Sequence, residues 1–232
     1  MPKLLILIDI DGTLLYPGMT PRHALSAAIR QYTGKTIEFT VPMLAGMTDP
    51  LIVRNALDFL GVGDNIRDNL PERILETYLE ILADHYPRAK DPRLYPGART
   101  LLRLLQDMPV RLGLITGNLE RGAMIKLQPF GLAEYFSMGV FGSDHSDRDR
   151  LPLIALEKCH ERFRENYSPK QVVIIGDSVR DVLCAHRNGM RAIAVVRHKD
   201  RLASITAENP DLIVSGFIKL DPVKNYLVTL IG

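Results

Sequence analysis

The chain alternates between two kinds of apolar pattern. Four short runs, Leu4 to Ile8, Leu112 to Ile115, Val172 to Ile175 and Ala192 to Val196, are apolar without polar alternation. Runs of this kind predict strands buried on both faces, as in a parallel sheet covered by helices on each side. Met138 to Phe141 and Leu212 to Val214 are weaker candidates of the same type. Between the runs the spacing becomes helical. Gly97 to Asp107 carries Leu101, Leu102, Leu104 and Leu105 on one side. Leu119 to Pro129 follows the second run, and Pro152 to Arg164 carries Leu153, Leu156 and Phe163. Val179 to Asn188 ends at Gly189, a natural C-terminal stop. Strand and helix in alternation predict an α/β fold built on a doubly wound parallel sheet.

The interval from Leu14 to about Leu94 breaks that rhythm, with helical patterns and turns and no convincing sheet strand. Thr20-Pro21 offers a cap and a first-turn proline. Ile52, Ala56, Phe59 and Leu60 mark a second helix, and Ile74, Leu75, Tyr78, Leu79 and Leu82 a third. The interval reads as an all-helical cap domain over 16–94, inserted into a discontinuous core of 1–15 and 95–232. Its hinges fall at Tyr16-Pro17-Gly18 and from Asp91-Pro92 to Tyr95-Pro96-Gly97.

Composition excludes some partners. A net charge of +2 with no Lys/Arg block argues against nucleic acid and a membrane surface. The apolar run after Met1-Pro2-Lys3 stops at Asp9, too short to span a bilayer and without a cleavage site. Cys159 and Cys184 lie in helical patterns and read as buried structural thiols, which fits a reducing cytoplasm. Oligomeric state is not legible in the sequence, and a monomer is compatible with it.

The chemistry gathers at the strand ends. In open α/β sheets ligands bind at the carboxyl edge, where strand order reverses. The first run ends in Asp9-Ile10-Asp11-Gly12-Thr13. Residues two apart on an extended segment point the same way, so both carboxylates can face one pocket, and Gly12 permits the turn that follows. The run ending at Ile175 leads into Gly176-Asp177-Ser178, with Asp181 in the first turn of the next helix. If the two strands are neighbours, four carboxylates converge and repel one another. A hard divalent cation such as Mg2+, which takes carboxylate and phosphate oxygens, resolves that repulsion. A further strand end, Thr116-Gly117-Asn118, supplies a hydroxyl, a flexible glycine and an amide for phosphate oxygens, with the N-terminus of the next helix behind them.

These motifs make the chain resemble the haloacid dehalogenase superfamily, in its phosphoglycolate-phosphatase-like branch with a helical cap. Asp9-Ile10-Asp11-Gly12-Thr13-Leu14 resembles the family's first motif, Ile115-Thr116 the second, and Ile175-Gly176-Asp177-Ser178 with Asp181 the fourth. The third departs from the common pattern: Asp147-Arg148-Asp149-Arg150-Leu151-Pro152 has no lysine, and an arginine can take its place beside carboxylate and phosphate. Arg148 is the first candidate and Arg150 the alternate, while Lys158, in mid-helix, reads as a surface residue.

The resemblance implies phosphoryl transfer to Asp9 and then to water, with Asp11 as general acid and base. It implies Mg2+ held by Asp9, the Asp11 carbonyl and Asp177, with Asp181 beside it, and phosphate held by Thr116 and Asn118. The substrate is then a small phosphorylated metabolite. Gly117 and Thr48 are candidate substrate contacts, Thr48 equally a helix cap, and Arg22 and Arg54 could meet a second anion. Asp11 disfavours a dehalogenase, which needs no such acid. Lys35, in an exposed Gly-Lys-Thr turn, is a poor Schiff-base lysine for phosphonate hydrolysis. A phosphosugar mutase remains open beside the phosphatase, as does a non-catalytic binding or regulatory protein on the same fold.

Overall fold

The computed structural model describes residues 2–62 and 69–232. Among them, six strands form one parallel sheet: β1 (Leu4–Ile8), β4 (Val110–Ile115), β5 (Met138–Val140), β6 (Val172–Gly176), β7 (Arg191–Val195) and β8 (Leu212–Val214). Their order is β5-β4-β1-β6-β7-β8. The chain winds outward one way from β1 and the other way from β6, so the reversal lies between these two strands. They pair with Ile8 opposite Ile175, while Ile8 also faces Leu114 of β4. The carboxyl ends of β4, β1 and β6 are therefore level, which is what brings the motif residues together.

The apolar runs form central strands because both faces are covered. One face packs under α4 (Ala98–Gln106), α5 (Glu120–Leu127) and α9 (Asp221–Ile231), around Ile6, Ile8, Leu101, Leu105 and Leu227. The other packs under α6 (Leu151–Phe163) and α7 (Val179–Arg187), around Leu5, Leu7, Ala155 and Cys184. The two weaker sequence candidates are the edge strands β5 and β8, three residues each.

The interval after β1 holds α1 (Thr20–Thr33), α2 (Asp49–Phe59) and α3 (Leu70–His85), with an apolar core of their own around Ile29, Val53, Leu57, Ile74 and Leu82. Leu119 and Ile125, from the loop before α5 and from α5 itself, pack against that core, so α5 serves both bodies. The interval is not wholly helical. β2 (Leu15–Tyr16) and β3 (Arg93–Leu94) form a two-residue antiparallel ribbon where the chain leaves and re-enters the sheet domain. Two residues are too few to show a strand period in sequence. Thr20 does not cap α1 either: Met19 holds that position, and its N–H donates to Asp91 Oδ2 at 2.7 Å. No helix among the described residues is long and apolar enough to cross a membrane.

Candidate active site

A chamber of about 340 Å³ lies between the sheet's carboxyl edge and the cap. Asp9, Asp11, Thr116, Gly117, Asn118, Arg148, Asp177 and Asp181 line it from the core. The cap adds Arg22, Leu44, Met47, Asp49 and Tyr78.

Asp9, Asp177 and Asp181 each present a carboxylate oxygen within 4.8 Å of the others. The N–H of Asp9 still belongs to the sheet, donating to the carbonyl of Ile175 at 2.9 Å. Asp177 packs against Gly12, where a Cβ would lie 2.3 Å from its Oδ2 and where φ is +86°. Both facts require glycine there. Asp181 forms a reciprocal capping box with Ser178, its Oδ2 accepting from the Ser178 N–H at 3.0 Å and hydroxyl at 2.7 Å.

Burial and mutual repulsion make this set costly when ionised. Burial, then the charge of Asp181, raises the Asp9 pKa well above the usual carboxylate range, and the Arg148 guanidinium offsets only part. Burial and Asp181 push Asp177 up to about 7, against the pull of Arg201, which donates to Asp177 Oδ2 at 2.7 Å. Oxygen-only donors, three anions and a shared pocket fit a hard divalent cation, whose charge would hold all three ionised.

Arg148 is buried and donates to Asp9 Oδ1 at 3.1 Å and to Asp181 Oδ1. Its Nε is buried with no partner among the described residues, a spare donor beside the nucleophile candidate. Burial alone would lower its pKa; Asp181 and Asp9 more than reverse that, so it stays a cation. Arg150, the alternate, is exposed outside the chamber. Lys158 is half-buried rather than free on the surface, donating to Asp144 Oδ2 at 2.7 Å and to the Gly139 carbonyl.

Asp11 stands apart from the three clustered acids. Its Oδ2 accepts from Asn118 Nδ2 at 2.9 Å and from Lys126 Nζ at 2.5 Å. Both amide protons of Asn118 are thereby committed, since Nδ2 also donates to Thr116 Oγ1 at 2.7 Å. Asn118 thus orients Asp11 and has no spare side-chain donor for phosphate. The start of α5 is committed too. The Leu119 N–H donates to Asp49 Oδ2 at 2.9 Å and the Glu120 N–H to Ser143 Oγ at 3.2 Å. A cap carboxylate, not a phosphate, takes the favourable end of that helix.

Thr48, a candidate substrate contact in the sequence, is fully buried and does not line the chamber. Its hydroxyl donates to the Ser146 carbonyl at 2.6 Å and caps α2 through the Leu51 N–H at 3.4 Å, so it ties cap to core. Gly117 lies under the same cap loop, its carbonyl accepting from the Asp49 N–H at 2.7 Å. Arg54 and Lys35 are exposed, and Lys35 donates to the Leu60 carbonyl; Arg22 alone of these three lines the chamber. Cys159 and Cys184 are free, buried thiols, which burial pushes up to about 11 and about 12.

The segment Leu44 to Asp49, expected from the sequence to face the site, does so through Leu44, Met47 and Asp49, whereas sequence reasoning missed Lys126, Arg197 and Arg201. Arg197 donates to the carbonyls of Gly12 and Thr13 and lies over the Tyr95 ring at 3.7 Å, bracing the loop after β1. Arg197 and Arg201 follow the end of β7, next to β6, and the carboxyl-edge rule extended to that strand would have found them.

The family model of the haloacid dehalogenase-like hydrolases matches residues 6–195. A phosphoglycolate phosphatase of Pseudomonas savastanoi pv. phaseolicola is 27% identical over 224 residues, 96% of this chain and 79% of the relative. The crystal structure of a predicted phosphoglycolate phosphatase from Haemophilus somnus 129pt superposes with a TM-score of 0.74 at 20% identity, covering 96% of this chain and 97% of that one. CbbY from Rhodobacter sphaeroides, solved in complex with phosphate, has a TM-score of 0.69 at 18% identity, covering 95% and 96%. At such identities the two solved structures establish likeness of fold.

Proposed function

From the premise that the chain belongs to the haloacid dehalogenase-like hydrolases, as an enzyme of their phosphoglycolate-phosphatase-like branch, we propose that it hydrolyses a small phosphomonoester through a phosphorylated Asp9. The observation that carries this reading is the division of labour among the acids. Asp9 sits in a cluster suited to a cation and is gripped by Arg148, while Asp11 is held apart by neutral and cationic donors.

In the first step an Asp9 oxygen bonds to phosphorus, the bond to the ester oxygen breaks, and Asp11 delivers a proton to the departing alkoxide. In the second, Asp11 takes a proton from water as that water attacks phosphorus, releasing inorganic phosphate and restoring Asp9. Arg148 holds the Asp9 carboxylate through its guanidinium. Asp9, Asp177 and Asp181, with the Asp11 carbonyl, would hold Mg2+, which when bound would screen the charge between carboxylate and phosphate. The cap covers the chamber and limits bulk water there.

Phosphoglycolate is the first substrate to try, because relatives of similar length are phosphoglycolate phosphatases by name. Phosphate release from a panel of phosphomonoesters with Mg2+ tests the reading. Asp9→Asn should abolish release with unchanged circular dichroism, and a strong chelator should stop the wild type. Near-wild-type turnover in either case refutes it. Conversion of a bisphosphosugar to an isomer without net phosphate release would show a mutase instead.

A further inference from the structure

Lys126 has no part in the steps above, yet it is more deeply buried than Arg148, at 3% against 8% exposure. It sits near the end of α5, on the face shared with Gly122, Ala123 and Leu127, where an apolar residue would pack without penalty. A buried ammonium persists only when its charge and protons are matched. Here Nζ donates to Asp11 Oδ2 at 2.5 Å and to Asn118 Oδ1 at 2.6 Å. Asn118 Nδ2 closes the triangle on the same Asp11 oxygen at 2.9 Å. Asp49 of the cap feels the same cation, which offsets part of the rise that burial imposes on its pKa.

The triangle sorts the two oxygens of Asp11. Oδ2 accepts from two donors, one of them charged. Oδ1 is buried with no partner among the described residues. With Oδ2 held by two donors and Oδ1 closed to solvent, the carboxyl is fixed in one orientation. Asn118 alone could not ensure this, because a lone amide donor leaves the carboxyl free to turn over and present either oxygen.

We propose that Lys126 is the positioning residue for Asp11: with Asn118 it pins Oδ2 and holds the carboxyl in the orientation from which it serves the leaving group and the attacking water. The proposal rests on the reading of Asp11 as the acid and base. Its signature is selectivity for poor leaving groups, since an alkoxide must be protonated as it departs and a nitrophenolate need not be.

The test compares kcat/KM, which reports steps up to phosphorylation of Asp9, for phosphoglycolate or another alkyl phosphate and for p-nitrophenyl phosphate. Lys126→Met should lose about 10²–10³-fold on the alkyl ester, the range of a general-acid contribution, and under about 10-fold on the nitrophenyl ester. Lys126→Arg, which keeps two charged donors, should recover part of the alkyl activity. If Lys126→Met does not fold, Lys126→Gln carries the same comparison and should show the same selectivity. Equal losses on both esters would make Lys126 merely structural and overturn the proposal, as would an undiminished rate on the alkyl ester. A folded, Mg2+-supplied wild type inactive on every ester would instead bring down the phosphatase reading and the proposal with it.

Discussion

Gly117→Ala tests how tightly the cap is seated. A Cβ at this position would lie 1.9 Å from the Met47 carbonyl oxygen, 2.7 Å from its carbonyl carbon and 3.0 Å from Thr48 Cα. All three are backbone atoms of the cap loop, so no side-chain rotation relieves the clash. Regaining contact at about 3.5 Å requires a retreat of roughly 1.5 Å. Three bonds span this seam: Asp49 N–H to Gly117 O at 2.7 Å, Leu119 N–H to Asp49 Oδ2 at 2.9 Å, and Thr48 Oγ1 to Ser146 O at 2.6 Å. At about 1 kcal/mol each, their loss weakens the seated arrangement by about 3 kcal/mol, or about a hundredfold in population. The sheet's two apolar cores take no residue from the cap helices, so the core should stay folded. We expect kcat/KM on a phosphomonoester to fall by about 10², and the Asp49 and Leu119 amides to exchange with solvent faster by a similar factor. Wild-type protection of those amides together with kcat/KM within about threefold of wild type would refute the reasoning.

Two further predictions concern buried charge. Burial pushes Asp49 up to about 6, against about 3.9 in an unfolded chain, so the folded state binds the extra proton between about pH 4 and 6. Stability then falls as pH rises through that window, by up to about 3 kcal/mol for this group. Asp49→Asn keeps an acceptor for the Leu119 N–H and removes the titration. Its Tm should exceed that of the wild type above pH 6 and match it below pH 4, and parallel Tm–pH curves would contradict this. Arg148→Met leaves Asp9 and Asp181 without their shared cation and should cost about 3–5 kcal/mol in urea unfolding with chelator present, whereas Arg150→Ala should stay within about 0.5 kcal/mol. Similar losses for both variants would refute the assignment.

What was legible in the sequence followed from how unusual each pattern is. Continuous apolar strands running into acids need burial on both faces and a polar edge, and few other folds produce both. The edge strands were faint because each is short. Lys126 was invisible for a different reason, since a lysine on a helix reads as solvated. The signal lay in its phase: three residues after Ala123 and next to Leu127, it falls on the buried face of α5, where a charge needs a partner. The role of Asn118 could not be read either, because an amide near a phosphate site serves substrate or protein equally well, and only its bonds to Asp11 and Thr116 decide. Thr48 was legible as a cap; that its hydroxyl also reaches Ser146, 98 positions away in sequence, is a tertiary fact.

The ribbon of β2 and β3 places Leu15 opposite Leu94 and Tyr16 opposite Arg93. The polypeptide thus departs and comes home through one doorway, its two threads side by side at the spacing of adjacent strands, about 5 Å. A tight hairpin could bridge that gap, so everything beyond the doorway is exchangeable without re-threading the sheet beneath. An architecture wired this way can swap one roof for another and keep the same furnace.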